Sequence, residues 1–263
     1  MHKRDGQVEP VSPRRELTAD YMRMARRRSN VHGLVELDVT EARCRIQAVE
    51  EETGDALSFT AFLVCCLAKA IDDHPHVNAY VDWRGRLHTF DDVDVNVLVE
   101  TTVDGDRRGT PHVVRAANRR SLQSIHDEIR TTQHAPVATR QSRGESLALR
   151  LPSVVKRQLW RLPQLFPRAW KTMAGTVAVT SVGMFGTGGG WAVSPTNYTV
   201  QLTVGGIATK PGYVEGEVSP REYLSLTVTF DHDVVDGAPA ARFVQRLGEL
   251  IEDAHGLQTE TKP

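Results

Sequence analysis

A histidine, an aspartate four positions on and a glycine directly after it stand at His232, Asp236 and Gly237. An apolar, β-branched run precedes them and an amphipathic stretch follows, so they fall where a strand hands over to a helix. A histidine at a strand end is held rigidly and can face a cleft. Its unperturbed pKa of ~6.5 suits a general base that takes a proton from a hydroxyl or thiol near neutrality. The Asp-Gly pair marks a tight turn that would fix both side chains. Taken alone, His-x3-Asp-Gly is equally an ordinary structural turn, and that reading stands beside the catalytic one.

The elements that must carry these residues are readable from pattern. Residues 1–13 hold Pro10 and Pro13 with few apolar side chains and read as a disordered lead-in. A basic helix is expected over 14–29, its Arg26-Arg27-Arg28 run a solvated end. The apolar-polar alternation of 31–39 predicts a half-buried strand. Thr40 can cap a helix to Glu52 that Gly54 stops. Ser58 can cap a second helix, apolar on nearly all sides and therefore buried, which His74-Pro75 ends. Strands are expected at 77–81, 93–100 and 112–115, with Asp104-Gly105 as a turn, and Ser121 can cap a helix to Thr132. Three further strands, 175–182, 198–204 and 223–230, precede an amphipathic helix over 238–254 whose apolar face holds Phe243, Leu247, Leu250 and Ile251. Without strict βαβ alternation this mixture predicts an α+β fold, with a mixed sheet and helices on one side.

Composition narrows the function classes. The chain has 263 residues, 40% of them hydrophobic, enough for a sizeable core. A net charge of −1 gives no bulk attraction to nucleic acid or to an anionic membrane. The longest apolar stretch, 57–71, contains Lys69 and falls short of the ~20 residues a membrane span needs. Cys44, Cys65 and Cys66 lack metal-ligand spacing, as do His74, His76, His88 and His112, so no metal is expected. With no signal-peptide pattern in 1–15, a reduced, cytoplasmic protein is the expectation. Gly186 to Gly190 lacks the Lys-Ser/Thr and helix of a phosphate loop and reads as a hairpin loop.

Two segments carry a specific resemblance: TVAVTSVGMFG at 176–186 and FDHDVVDGA at 230–238. The first is similar to the TFTISNLGMFG segment, and the second to the DHRVVDGA segment, of the catalytic domain of dihydrolipoamide acyltransferases. Those are the core subunits of 2-oxoacid dehydrogenase complexes and relatives of chloramphenicol acetyltransferase. Weaker echoes occur at Asn30-Val31-His32, 58–70 and Thr110-Pro111, in the family's order. The resemblance implies a chloramphenicol acetyltransferase-like two-layer sandwich over 14–255, with a polar tail at 256–263. It implies that His232 is the catalytic base and that Asp236 orders the active-site loop through an arginine, with Arg14 and Arg15 as candidates and Gly237 in the turn. Thr180 falls where the family has a serine that hydrogen-bonds the oxyanion; a buried strand threonine is the structural alternative. Also implied are acyl-CoA as co-substrate, direct transfer without an acyl-enzyme, and a homotrimer with active sites between subunits.

Three departures shape the expected substrate. Asp233 replaces the arginine usual after the histidine and puts another carboxylate beside the base. No lipoyl or subunit-binding module precedes residue 14, so no lipoyl group is expected on this chain, and the polar tail suits a trimer rather than a larger core. Segment 147–170 is longer and more apolar than the family's linker, and carries Trp160, Phe166 and Trp170 with Arg157, Arg161 and Arg168. The leading expectation is a stand-alone enzyme moving an acetyl or other short acyl group from a CoA or acyl carrier protein thioester to a small-molecule hydroxyl. Acetylation of a tetronate in natural-product biosynthesis is an example. Trp160, Phe166 and Trp170 would wall the acceptor pocket; a packed lid or subunit contact is the other reading of that segment. Two alternatives stand beside it: a dehydrogenase-complex core subunit acting on a lipoyl domain in trans, and a non-catalytic scaffold.

Overall fold

The computed structural model describes residues 11–103, 106–134, 165–181 and 188–257. Helix α1 (Pro13–Ala25) starts where Ser12 Oγ accepts from the Arg15 amide and a proline presets the first turn. Strand β1 (Asn30–Asp38) follows, then helix α2 (Thr40–Thr53), which ends on Gly54 at φ 73°. That left-handed cap is one glycine adopts without strain. Ser58 Oγ accepts from the Ala61 amide to start α3 (Phe59–Asp73), the buried helix predicted from its all-round apolarity. Phe62, Leu63, Leu67 and Ile71 are all but inaccessible, each burial contributing ~1.5–3 kcal/mol.

The remaining elements are β2 (Ala79–Val81), β3 (Leu87–Thr89), β4 (Val95–Val103), β5 (Asp106–Val114), α4 (Leu122–His134), α5 (Pro167–Ala174), β6 (Val177–Ser181), β7 (Val200–Val214), β8 (Glu217–Asp231) and α6 (Gly237–Glu252). Six strands form one sheet in the order β1-β8-β7-β6-β4-β5. β6 runs parallel to both β4 and β7, and the other pairings are antiparallel, so the sheet is mixed as expected. Alternate residues point to one core: Val177 and Val179, Val200, Leu202 and Val204, Leu224, Leu226 and Val228. They meet Phe62, Leu67, Ile125, Phe243 and Leu247 from α3, α4 and α6. The other face is polar yet buried along Gln201, Thr203, Ser225, Thr227, Thr229 and Asp231. A smaller cluster of Met24, Tyr80, Trp170, Ala174, Ala178 and Tyr198 joins α1, β2, α5 and β6.

Several expected boundaries move, each for a local reason. The strand expected at 77–81 becomes a 3-10 turn over Pro75–Val77 and then short β2, paired with β3 in a separate two-stranded sheet. Buried Asn78 causes the break: its Nδ2 donates to the carbonyls of Phe90 and Asp92 and closes this hairpin at its base. The strand expected from 175 begins at Val177, because Gly175 sits at φ 85° where a Cβ would stand 2.7 Å from the Asp94 carbonyl oxygen. β7 and β8 extend far beyond the expected 198–204 and 223–230 into a long hairpin. The Asp104-Gly105 turn lies outside the described residues.

Candidate active site

His232 directly follows the last residue of β8, in a turn built by its neighbour Asp231. The Asp231 carbonyl accepts from the amides of Val234 and Val235, both at 3.0 Å, and its Oδ1 accepts from the Asp233 amide at 3.3 Å. The Asp231 amide donates to the Thr199 carbonyl just before β7, and the His232 amide donates to the Ser29 carbonyl at 2.8 Å. The backbone of the histidine is thus fixed from two sides while its imidazole stays 46% exposed, open to a reactant. Nδ1 lies 4.0 Å from Asp236 Oδ1, and Asp236 caps the start of α6 with its carboxylate 86% exposed. With Nδ1 turned toward a carboxylate, Nε2 is the nitrogen placed to exchange a proton with a reactant.

Thr180 sits half-buried in β6. It is opposite Thr203 of β7, which is opposite Thr227 of β8. His232, the residue after the end of β8, lies five residues beyond Thr227. At ~3.4 Å per residue and ~4.8 Å per strand spacing, the sheet puts His232 and Thr180 of one chain roughly 20 Å apart. A base and an oxyanion donor serving one carbonyl must both come within ~3 Å of the reacting group. Within one chain the two do not form one site.

The other predicted residues distribute unevenly. Among the described residues no arginine pairs with Asp236; the Arg14 side chain lies outside them, and Arg15 is exposed on α1. Gly237 opens α6 with nothing within 4 Å of where a Cβ would stand, so neither φ nor packing demands glycine there. Asp233 is exposed on the turn. Trp160 lies outside the described residues, and Phe166 is exposed just before α5. Trp170 corrects the acceptor-pocket expectation: it is 2% exposed, donates Nε1 to the Tyr80 hydroxyl at 3.0 Å and packs on Tyr198. Its amphipathic helix turns it into the smaller apolar cluster, where no acceptor can reach it.

Two features escaped the sequence reading. The arginine run is not simply a solvated helix end, because Arg28 Nη1 meets the fully buried Asp231 Oδ2 at 2.6 Å. The pair Gly205-Gly206 forms the β7 bulge, where a Cβ at either position would collide with the carbonyl oxygens of Gly190 and Gly188. Adjacent glycines inside a strand do signal a bulge, and this one seats the backbone of Gly188 and Gly190. Among the described residues, no three His, Cys, Asp or Glu are grouped to hold a metal, and no helix is long and apolar enough to cross a membrane.

The sequence model described as 2-oxoacid dehydrogenases acyltransferase (catalytic domain) matches residues 3–145 and 169–258. The unmatched gap covers most of the segment singled out as unlike the family. A lipoamide acyltransferase component of the branched-chain alpha-keto acid dehydrogenase complex from Pseudomonas putida is 27% identical over 97% of this chain and 55% of its own length. The chain therefore spans about half the length of that relative. A probable dihydrolipoamide acetyltransferase of Listeria monocytogenes shares the fold with a TM-score of 0.73, at 19% identity over 100% of this chain and 99% of that one. A chloramphenicol acetyltransferase does so at 0.52, with 14% identity over 94% and 97%. The fold is thus the α+β, chloramphenicol acetyltransferase-like sandwich, and the chain belongs to the 2-oxoacid dehydrogenase acyltransferase catalytic-domain family.

Proposed function

We propose that the chain is an acyltransferase that exchanges an acyl group between CoA and a dihydrolipoyl thiol, with His232 as general base. The observation that carries this reading is the His232 turn: an exposed imidazole on a fixed backbone, Nδ1 toward Asp236, in a chain that matches the acyltransferase family across both motifs. An intact His-x3-Asp pair weighs against a scaffold. In the reaction, His232 takes the proton of the attacking thiol. The thiolate adds to the thioester carbonyl, and the oxyanion accepts a hydrogen bond from a threonine hydroxyl. Collapse breaks the original carbon–sulfur bond, and the departing thiolate recovers the proton from the imidazolium.

The donor to that oxyanion is Thr180 of a second copy, since the same chain's Thr180 lies roughly 20 Å from His232 by strand register. The site is complete only in a homo-oligomer, for which a trimer is the reading. A dihydrolipoyl acceptor displaces the small-molecule hydroxyl as the leading reading, for two reasons. The P. putida relative is itself a lipoamide acyltransferase component, and Trp170, one of the aromatic residues expected to wall a small-molecule pocket, belongs to the core. The test is transfer from acetyl-CoA and longer acyl-CoAs to dihydrolipoamide, a free lipoyl domain and a panel of hydroxyl compounds. The dihydrolipoyl thiols should react fastest; faster transfer to any hydroxyl acceptor would overturn the acceptor assignment.

A further inference from the structure

The β1–β8 ladder ends at the pair Asn30 and Asp231. His232 therefore stands one residue past the last strand pairing, where the sheet no longer fixes it. What holds it comes from the two residues before β1. The Ser29 carbonyl takes the His232 amide at 2.8 Å, and the Arg28 guanidinium takes the Asp231 carboxylate at 2.6 Å. The Asp231 side chain is fully buried and that of Arg28 is 17% exposed, so water screens this pair weakly. The same carboxylate accepts from the Asp233 amide, so Arg28 grips the group around which the whole turn folds.

Arg28 is itself backed by the smaller apolar cluster. Its guanidinium carbon lies 5.9 Å from the centre of the Tyr80 ring. The Tyr80 hydroxyl donates to the Thr176 carbonyl and accepts from Trp170 Nε1. Burial holds the Tyr80 phenol well above its ordinary pKa, so it stays neutral and can keep both bonds. Thr176 leads directly into β6, which carries Thr180. A continuous chain of contacts thus runs from the strand of Thr180 through Tyr80 and Arg28 to the turn of His232.

We propose that Arg28 is a positioning residue for His232, acting through buried Asp231 to fix the turn that presents the imidazole. This rests on the acyltransferase reading for its kinetic consequence but not for its structural one. The Arg28–Asp231 ion pair thus orders the turn from its buried side, while Asp236 faces the imidazole from the exposed side. Lysine can replace the charge but not the planar fork that also lies over Tyr80.

The test compares Arg28→Met, Arg28→Lys and the double variant Arg28→Met/Asp231→Asn, which removes the stranded buried charge and keeps the protein foldable. A displacement on the order of 1 Å at a reacting group costs about 10²-fold in rate. Arg28→Met and the double variant should lose about that in kcat with KM little changed, and Arg28→Lys, which keeps the charge but not the fork, should fall between them and the wild type. In parallel, the His232 ring resonance, assigned by its absence in His232→Ala, should shift or broaden in Arg28→Met and the double variant. Full kcat in the folded double variant, or an unmoved His232 resonance, would overturn the proposal. If the wild-type protein transfers no acyl group, the functional reading fails, and the resonance alone still decides whether Arg28 positions His232.

Discussion

Two inactive variants of this protein should rescue each other. His232→Ala removes the base, at a cost of about 10²–10⁴ in rate, and Thr180→Ala removes the oxyanion donor, at about 10²–10³. Each parent is then left with about 1% of the wild-type rate or less. Strand register separates the two residues by roughly 20 Å in one chain, so the proposed site takes its histidine from one chain and its threonine from a neighbour. In randomly reassembled oligomers from equal amounts of the two variants, a site is whole when its histidine comes from a Thr180→Ala chain and its threonine from a His232→Ala chain. Each event has odds of one half, so about a quarter of the sites work, far above either parent. The assay is acyl transfer per site after co-refolding the variants, or after co-expression and purification through two different tags. A rate no higher than the average of the parents would refute assembly of the site from two chains. A near-wild-type Thr180→Ala parent would remove Thr180 as the donor.

Three other outcomes follow from the packing. Trp170→Ala should lower stability by about 3–5 kcal/mol in denaturant titration while leaving acceptor KM unchanged in the folded fraction, because its indole fills the core. A specific rise in KM would return it to the acceptor site. Gly175→Ala should cost about 1–3 kcal/mol, measured the same way, since it needs φ 85° and has the Asp94 carbonyl 2.7 Å from its Cβ position; a neutral effect would contradict the turn. Asp82 is held well below the usual carboxylate range, first by the His88 hydrogen bond and then by the amides of Arg86 and Arg84. Its contribution is fully present above the unfolded carboxylate pKa of ~3.9 and is lost as pH falls through the depressed folded value. Amide protection in the β2–β3 hairpin, taken relative to the intrinsic exchange rate at each pH, should fall over that acid range in the wild type, and Asp82→Asn should remove that fall; an identical loss of protection in both would contradict it.

Much of the fold was legible because burial and periodicity agree. The all-round apolarity of α3 meant burial, and the β-branched, apolar run at 175–182 meant a strand. The outer halves of β7 and β8 were not legible. Lys210, Pro211 and Gly212 pair with Arg221, Pro220 and Ser219, so backbone ladders rather than a buried face hold them, and backbone bonds leave no hydropathy pattern. The His232 turn was legible in part. His232 stood out by motif, but the motif offers three carboxylates, at 231, 233 and 236, and pattern cannot say which one the sheet buries. Likewise three consecutive arginines look alike until the chain's return to β1 puts one of them against Asp231. Trp170 read as a pocket wall because an aromatic near arginines fits a ligand as well as it fits a core. Only the direction its helix faces separates the two.

The most direct test is the rate of acetyl transfer between acetyl-CoA and dihydrolipoamide for the wild type and His232→Ala at equal folded concentration. The wild type should turn over, and the variant should fall by about 10²–10⁴ with its fold intact by circular dichroism. A wild type inactive with every dihydrolipoyl acceptor, or a folded His232→Ala within about tenfold of wild type, would contradict His232 as the base of an acyl transfer.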